Sequence, residues 1–132
     1  MAKEYVYEKH FTLEEARACL PMLRHTLADI RQIVLRLRAI GFDYYKGKYL
    51  PGFHPDTRDE FPADFEQLLL LIHTINELGI EIKGLESGLV DFPSLRDNGE
   101  EVLLCWKIDE DDIEFWHSLE GGFKAREHID DF

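Results

Sequence analysis

Cysteine is scarce in this chain: Cys19 and Cys105 are the two in 132 residues. Neither stands in a C-x-x-C pair or at another metal-like spacing. That excludes a disulfide framework and leaves two reduced, buried thiols, as expected of a cytoplasmic protein. Long apolar runs are also missing. The longest unbroken aliphatic stretch, Leu68 to Ile72, is far too short to cross a bilayer. The segment from Met1 to Tyr5 has neither the apolar core nor the small-residue cleavage site of a secretion signal.

Positive charge is in short supply. Fifteen Lys and Arg face 27 Asp and Glu, a net charge of −12. Such a chain is repelled by a phosphate backbone, and no basic patch interleaved with aromatics offsets it, so neither nucleic acid nor membrane is expected as a partner. No phosphate loop, dinucleotide fingerprint, nucleophile elbow or H-E-x-x-H helix occurs. The common cofactor and enzyme signatures are therefore absent, and no cofactor is expected.

What is present fits one globular domain spanning residues 1–132. Apolar residues make up 45% and charged residues 32%, enough of each for a single core with a solvated surface. Charge is unevenly spread. Residues 97–132 carry twelve acids against Lys107, Lys124 and Arg126, while residues 13–40 carry five arginines against three acids. The two regions attract each other, or offer different faces to a partner.

Thr12-Leu13-Glu14-Glu15 is a capping box that opens a helix. Apolar residues then recur at Leu13, Ala16, Leu20, Leu23, Leu27, Ile30, Val34 and Leu37, and Gly41 closes the pattern. Pro21 removes one backbone donor inside it, which predicts a kink or break between Ala18 and Leu20. A second helix is predicted from Pro62 to Leu78, with Phe61, Phe65, Leu68, Leu69, Ile72, Ile75 and Leu78 as its stripe. Between the two helices lies a long flexible connection, residues 42–58, punctuated by Gly47, Pro51-Gly52 and Pro55.

After Gly79 the pattern alternates. Strands are predicted at Ile80–Lys83, Leu89–Leu95, Glu101–Ile108 and Ile113–Leu119, with a tight turn at Asn98-Gly99. A four-residue acidic loop, Asp109 to Asp112, then sets Trp106 opposite Phe115 and Lys107 opposite Glu114. In this register one face carries Asp91, Leu95, Val102, Leu104, Trp106, Ile108, Ile113, Phe115 and His117. The other carries Val90, Phe92, Leu103, Cys105 and Trp116. The expected fold is α+β, an antiparallel helix hairpin on an antiparallel sheet of three or four strands. A hairpin covers one face; the other needs the N-terminal segment, the C-terminal tail or a second subunit.

Four ordered blocks carry a resemblance. The first two are Phe11-Thr12-Leu13-Glu14-Glu15-Ala16 with Leu20-Pro21, and Gly79-Ile80-Glu81-Ile82-Lys83 running into Gly88 to Pro93. The last two are Glu101-Val102 with Leu104-Cys105-Trp106, and Trp116-His117 followed by Gly122-Phe123 and Arg126. Together they resemble a bacterial family catalogued as domain of unknown function 2203. The chain departs from it at Ala125 and at Glu127-His128. The resemblance implies the fold and singles out these residues; it implies no activity.

Two constellations stand out. Arg17, Arg24, Arg31 and Arg38 recur every seven residues along one border of the first helix's apolar stripe. They serve either ion pairs with Glu66, Glu77 and other acids of the same chain or an interface with a partner. The second gathers Asp91, Trp106, Phe115, Trp116, His117 and Arg126, a set suited to a small anionic ligand. In the expected register Asp91 and His117 lie two strands apart and beyond hydrogen-bonding range, so no catalytic dyad is expected. The acidic loop reads as a solvated turn, and His10, His25, His54, His73 and His128 share no metal-ligand spacing, although His54 and His128 lie in segments able to approach His117. The leading functional expectation is a non-catalytic, self-associating module, most simply a homodimer, since its apolar surface exceeds what one subunit covers. The alternative is a protein binding a small anion or a metal near His117 and Arg126, with hydrolase activity a possible extension.

Overall fold

The structure, a computed structural model, describes residues 4–53 and 62–132. The capping box forms: the Glu15 amide donates to Thr12 Oγ1 at 3.0 Å, and the Thr12 amide donates to Glu15 Oε1 at 2.9 Å. Helix α1, Leu13–Ala18, gives way at Cys19 to helix α2, Leu20–Ala39. Pro21 thus sits in the first turn of a new helix, where its missing amide costs nothing. Leu20, Leu23, Leu27, Ile30, Ile33, Val34 and Leu37 of α2 are buried.

Part of the connection after α2 is folded. Strands β1, Phe42–Asp43, and β2, Lys48–Tyr49, make a short hairpin, so the expected flexible stretch begins with ordered backbone. Its remainder from His54 to Arg58, and Phe61 of the expected helix stripe, lie outside the described residues. Helix α3 spans Ala63–Glu77. Arg36, near the end of α2, grips Asp64 at the start of α3 through two bonds of 2.9 and 3.0 Å, which fits helices running in opposite senses.

Five strands follow rather than three or four: β3 Glu81–Gly84, β4 Leu89–Leu95, β5 Glu101–Lys107, β6 Phe115–Ser118 and β7 Glu127–His128. They lie side by side in sequence order, each antiparallel to its neighbour. The extra strand comes from the tail. Strand β7 has two residues, and β3 carries a register shift between Ile82 and Gly84.

Two expectations of register are corrected. At the β4–β5 corner, Gly99 takes φ +86° while Asn98 keeps a negative φ. The bonds Arg96 N to Glu100 O, 2.9 Å, and Gly99 N to Arg96 O, 2.8 Å, enclose a three-residue loop, which sets Asp91 opposite Cys105. At the β5–β6 corner the Glu110 amide donates to Lys107 O and the Glu110 carboxylate accepts from the Lys107 amide. Phe115 then pairs with Cys105, not Trp106, and His117 pairs with Leu103. A slip of one residue turns a whole strand over. The two slips cancel between β4 and β6, so only β5 is inverted relative to the expected pattern.

Val90, Phe92, Val102, Leu104, Trp106 and Trp116 therefore join α2 and α3 in the hydrophobic core. Asp91, Leu103, Cys105, Phe115 and His117 occupy the far face, which the tail folds back over. The N-terminal segment straps the end of the sheet. The Phe11 amide donates to Pro93 O at 2.7 Å, and Ser94 Oγ donates to Phe11 O at 2.6 Å. The Glu101 carboxylate accepts from the Val6 and Tyr7 amides and pairs with His10 at 2.7 Å. No helix among the described residues is long and apolar enough to cross a membrane.

Candidate metal centre

Three adjacent strands each place one metal-binding side chain on the far face: Asp91 on β4, Cys105 on β5 and His117 on β6. A carboxylate oxygen, the sulfur and a ring nitrogen all lie within 4.8 Å of one another. The residues are 2%, 1% and 2% exposed. His117 Nε2 lies 3.1 Å from Asp91 Oδ1, which overturns the expectation that the two are out of range. Strands two apart are separated by about 10 Å. Here the long imidazole crosses that gap over the short Cys105 side chain.

The far side of the imidazole is fixed by the turn that follows it. His117 Nδ1 stands 2.7 Å from Ser118 O, and the Gly122 amide approaches the same nitrogen at 3.2 Å. Gly122 adopts φ +73°, a conformation that side-chain-bearing residues rarely take, so glycine permits this close turn. The carbonyl calls for a proton on Nδ1 and the Asp91 carboxylate for one on Nε2, so without an ion the ring is satisfied as an imidazolium, and an ion at the cluster would take the place of the Nε2 proton. A carbonyl holding the outer nitrogen of a ligating histidine is the arrangement metal sites use to fix ring orientation.

Electrostatics distinguish this cluster from a nucleophilic triad. The bond to Asp91 raises the His117 pKa, and burial opposes it. Burial and the Asp91 charge push the Cys105 thiol up to about 12, while the Arg126 guanidinium beside the sulfur pulls the other way. These influences favour the thiol form, and since nucleophile and metal ligand alike need the thiolate, an ion would have to displace that proton. His117 Nε2 pairs with Asp91 rather than with the sulfur, as a base activating Cys105 would. The three donor atoms instead converge on one point, and an N, O and S set of this kind suits a borderline ion such as Zn²⁺.

A cavity of about 220 Å³ opens beside the three donors. Leu89, Leu103, Leu119 and Phe123 give it apolar walls, with Lys83 and Glu120 as its further charged groups. Lys83 Nζ is held 2.6 Å from Glu81 Oε2. Among the described residues no fourth donor joins the cluster.

The other expected site residues divide. Arg126 is not in open water: its guanidinium lies between the Phe115 and Phe123 rings, 4.2 and 4.1 Å from their centroids. One of its nitrogens is 3.0 Å from each Glu110 oxygen, so the acidic loop is more than a solvated turn. Trp106 leaves the site because the one-residue slips turn β5 over, whereas Trp116, whose strand keeps its expected face, lies on the helix side opposite His117. Trp106 Nε1 donates to Glu110 O at 3.0 Å, and the Trp116 ring meets the Arg96 guanidinium at 4.6 Å.

The arginine row of α2 and its forerunner in α1 reaches loops of the same chain rather than Glu66 or Glu77. Arg17 bonds Ile113 O and pairs with Asp112; Arg24 bonds Asp111 O; Arg31 bonds Glu86 O at 2.9 Å. Arg38 contributes charge beside Glu86. His128 packs its ring against Phe115 rather than joining His117, and His54 lies outside the described residues. Cys105 is the member of the cluster that sequence reading missed. Its signal was present in the alternation of β5, masked by the one-residue slip at each end.

No curated protein and no solved structure matches the chain. A family model matches residues 9–129, nearly the whole chain. The chain belongs to the family described as Uncharacterized conserved protein (DUF2203).

Proposed function

We propose that this protein binds a divalent transition-metal ion of the zinc type through Asp91, Cys105 and His117. The observation that carries the reading is the convergence of one oxygen, one sulfur and one nitrogen, from three neighbouring strands, in a buried place. Burying a carboxylate, a thiol and an imidazole together costs stability that the Asp91–His117 contact offsets only in part. Binding replaces the thiol proton and satisfies all three donors at once. The two unpaired cysteines support the cytoplasmic location expected from the sequence.

The test is metal analysis of the purified chain after loading with Zn²⁺ or Co²⁺, with a chelator control. One ion per chain is expected, with thermal stabilisation; at 100 times the dissociation constant the gain is about 2.7 kcal/mol. Cys105→Ser keeps the shape and removes the soft ligand. It should weaken binding by more than the roughly 10–100-fold that a lost outer-shell partner costs. Binding unchanged by Cys105→Ser and by Asp91→Asn sinks the reading.

Self-association is a second reading, supported by apolar side chains on the helices that nothing in the described chain covers. Leu35, Leu69 and Leu70 are 55%, 51% and 57% exposed. Sedimentation velocity on wild type and on Leu69→Glu/Leu70→Glu tests it. A monomer in both cases removes the reading.

A further inference from the structure

We infer that the cavity beside Asp91, Cys105 and His117 is a hydrolytic site for small uncharged carbonyl compounds, with Glu120 as general base; this rests on the metal reading above. Three protein ligands leave one position of a tetrahedral ion free, and an open position distinguishes a catalytic zinc from a structural one. Here the donors border a cavity of about 220 Å³, so water and a small substrate have room at the ion. Glu120 lines that cavity, yet its carboxylate stands outside the cluster of donor atoms. It has no hydrogen-bond or ion-pair partner among the described residues. Glu120 is an exposed carboxylate at the cavity's lining and outside the donor cluster, so it is free to act on metal-bound water rather than on the metal.

Charge selects the substrate. A divalent ion with the Asp91 carboxylate and the Cys105 thiolate is neutral, Lys83 is paired with Glu81, and Glu120 adds one negative charge. The chain as a whole carries −12. Nothing in this arrangement attracts an anion, and Arg126, the residue expected to grip one, is committed to Glu110. The walls Leu89, Leu103, Leu119 and Phe123 suit a short apolar substituent on an ester or amide.

The step balances without any redox partner. Glu120 takes a proton from the metal-bound water, and the resulting hydroxide forms a bond to the carbonyl carbon. Charge developing on the carbonyl oxygen is stabilised by the ion. The bond to the leaving oxygen or nitrogen then breaks, and the proton held by Glu120 passes to it. One water is consumed; an acid and an alcohol or amine leave.

The experiment uses the full chain loaded with Zn²⁺ and assays p-nitrophenyl acetate, p-nitrophenyl butyrate and p-nitrophenyl phosphate, with chelator-treated protein as control. Metal-dependent turnover of the two esters is expected, with none of the phosphate. Glu120→Gln should lower kcat roughly a hundredfold or more while metal content stays at the wild-type value. Loaded protein no faster than chelated protein on either ester overturns the inference and leaves metal binding standing. So does Glu120→Gln within threefold of wild type. Loss of metal from Glu120→Gln makes Glu120 the fourth ligand of a closed site, which also overturns it. Failure of the wild-type chain to take up metal overturns the metal reading as well.

Discussion

Arg126 closes the far face through Glu110: one guanidinium nitrogen lies 3.0 Å from both carboxylate oxygens, joining the tail to the β5–β6 loop. The same guanidinium fills the gap between Phe115 and Phe123 and lies beside the Cys105 sulfur. Arg126→Ala should cost about 2 kcal/mol in urea denaturation, since a half-buried carboxylate loses its charged partner. It should also weaken metal binding about tenfold, as loss of an outer-shell partner does. A double-mutant cycle with Glu110→Gln isolates the pair; a coupling near zero counts against the closure.

The strap at Glu101 is acid-sensitive. Burial alone raises this carboxyl, but the bonds from His10, Val6 and Tyr7 outweigh burial and hold it below its ordinary value. A lowered folded pKa gives stability that is complete above the unfolded value, about 4.3, and lost as pH falls through the folded one. Release of the N-terminal segment, followed by proteolysis or by the NMR signals of Tyr5 and Tyr7, should therefore begin below pH 4.3 or so. Glu101→Gln should loosen the segment at neutral pH and flatten that acid response. An unchanged acid profile in the variant rejects the latch.

Gly99→Ala should destabilise by about 1 kcal/mol, because φ +86° is unfavourable for a side-chain-bearing residue. Asn98→Ala removes the bond from the Glu100 amide to Asn98 Oδ1, 2.9 Å, and should cost less. Thermal denaturation of both variants checks the order. The reverse ranking would mean that the side-chain bond, not the glycine, holds this corner.

Leu27→Ala separates core from site. Leu27 is 1% exposed on the helix side of the sheet, so truncation should cost between about 2 and 5 kcal/mol. Asp91, Cys105 and His117 face the other way, and metal affinity below the melting transition should change less than threefold. A large loss of affinity in a folded variant would show that the two faces of the sheet are coupled.

The contrast between Gly99 and Cys105 shows what the sequence made legible. Helix ends were readable because Thr12, Glu15 and Pro21 act within one turn of where they stand. Asp91 and His117 were readable as site residues for a less secure reason: two errors of one residue cancelled between their strands. Cys105 was hidden, since its face depends on the loop lengths at both corners, and these are set by bonds such as Lys107 N to Glu110 Oε1 that no periodicity displays. Trp106 was misplaced by the same cause, and the role of Arg126 depended on a tail whose path only tertiary contacts fix.

The sheet ends on two blunted edges. Strand β7 offers two residues, and β3 is four residues long, broken by its register shift and bearing Glu81 and Lys83. An edge so short and so charged gives an incoming extended chain little to template on. The sheet is thereby protected against growing into cross-β aggregates, so any association between copies must use side-chain surfaces rather than a continuing backbone ladder.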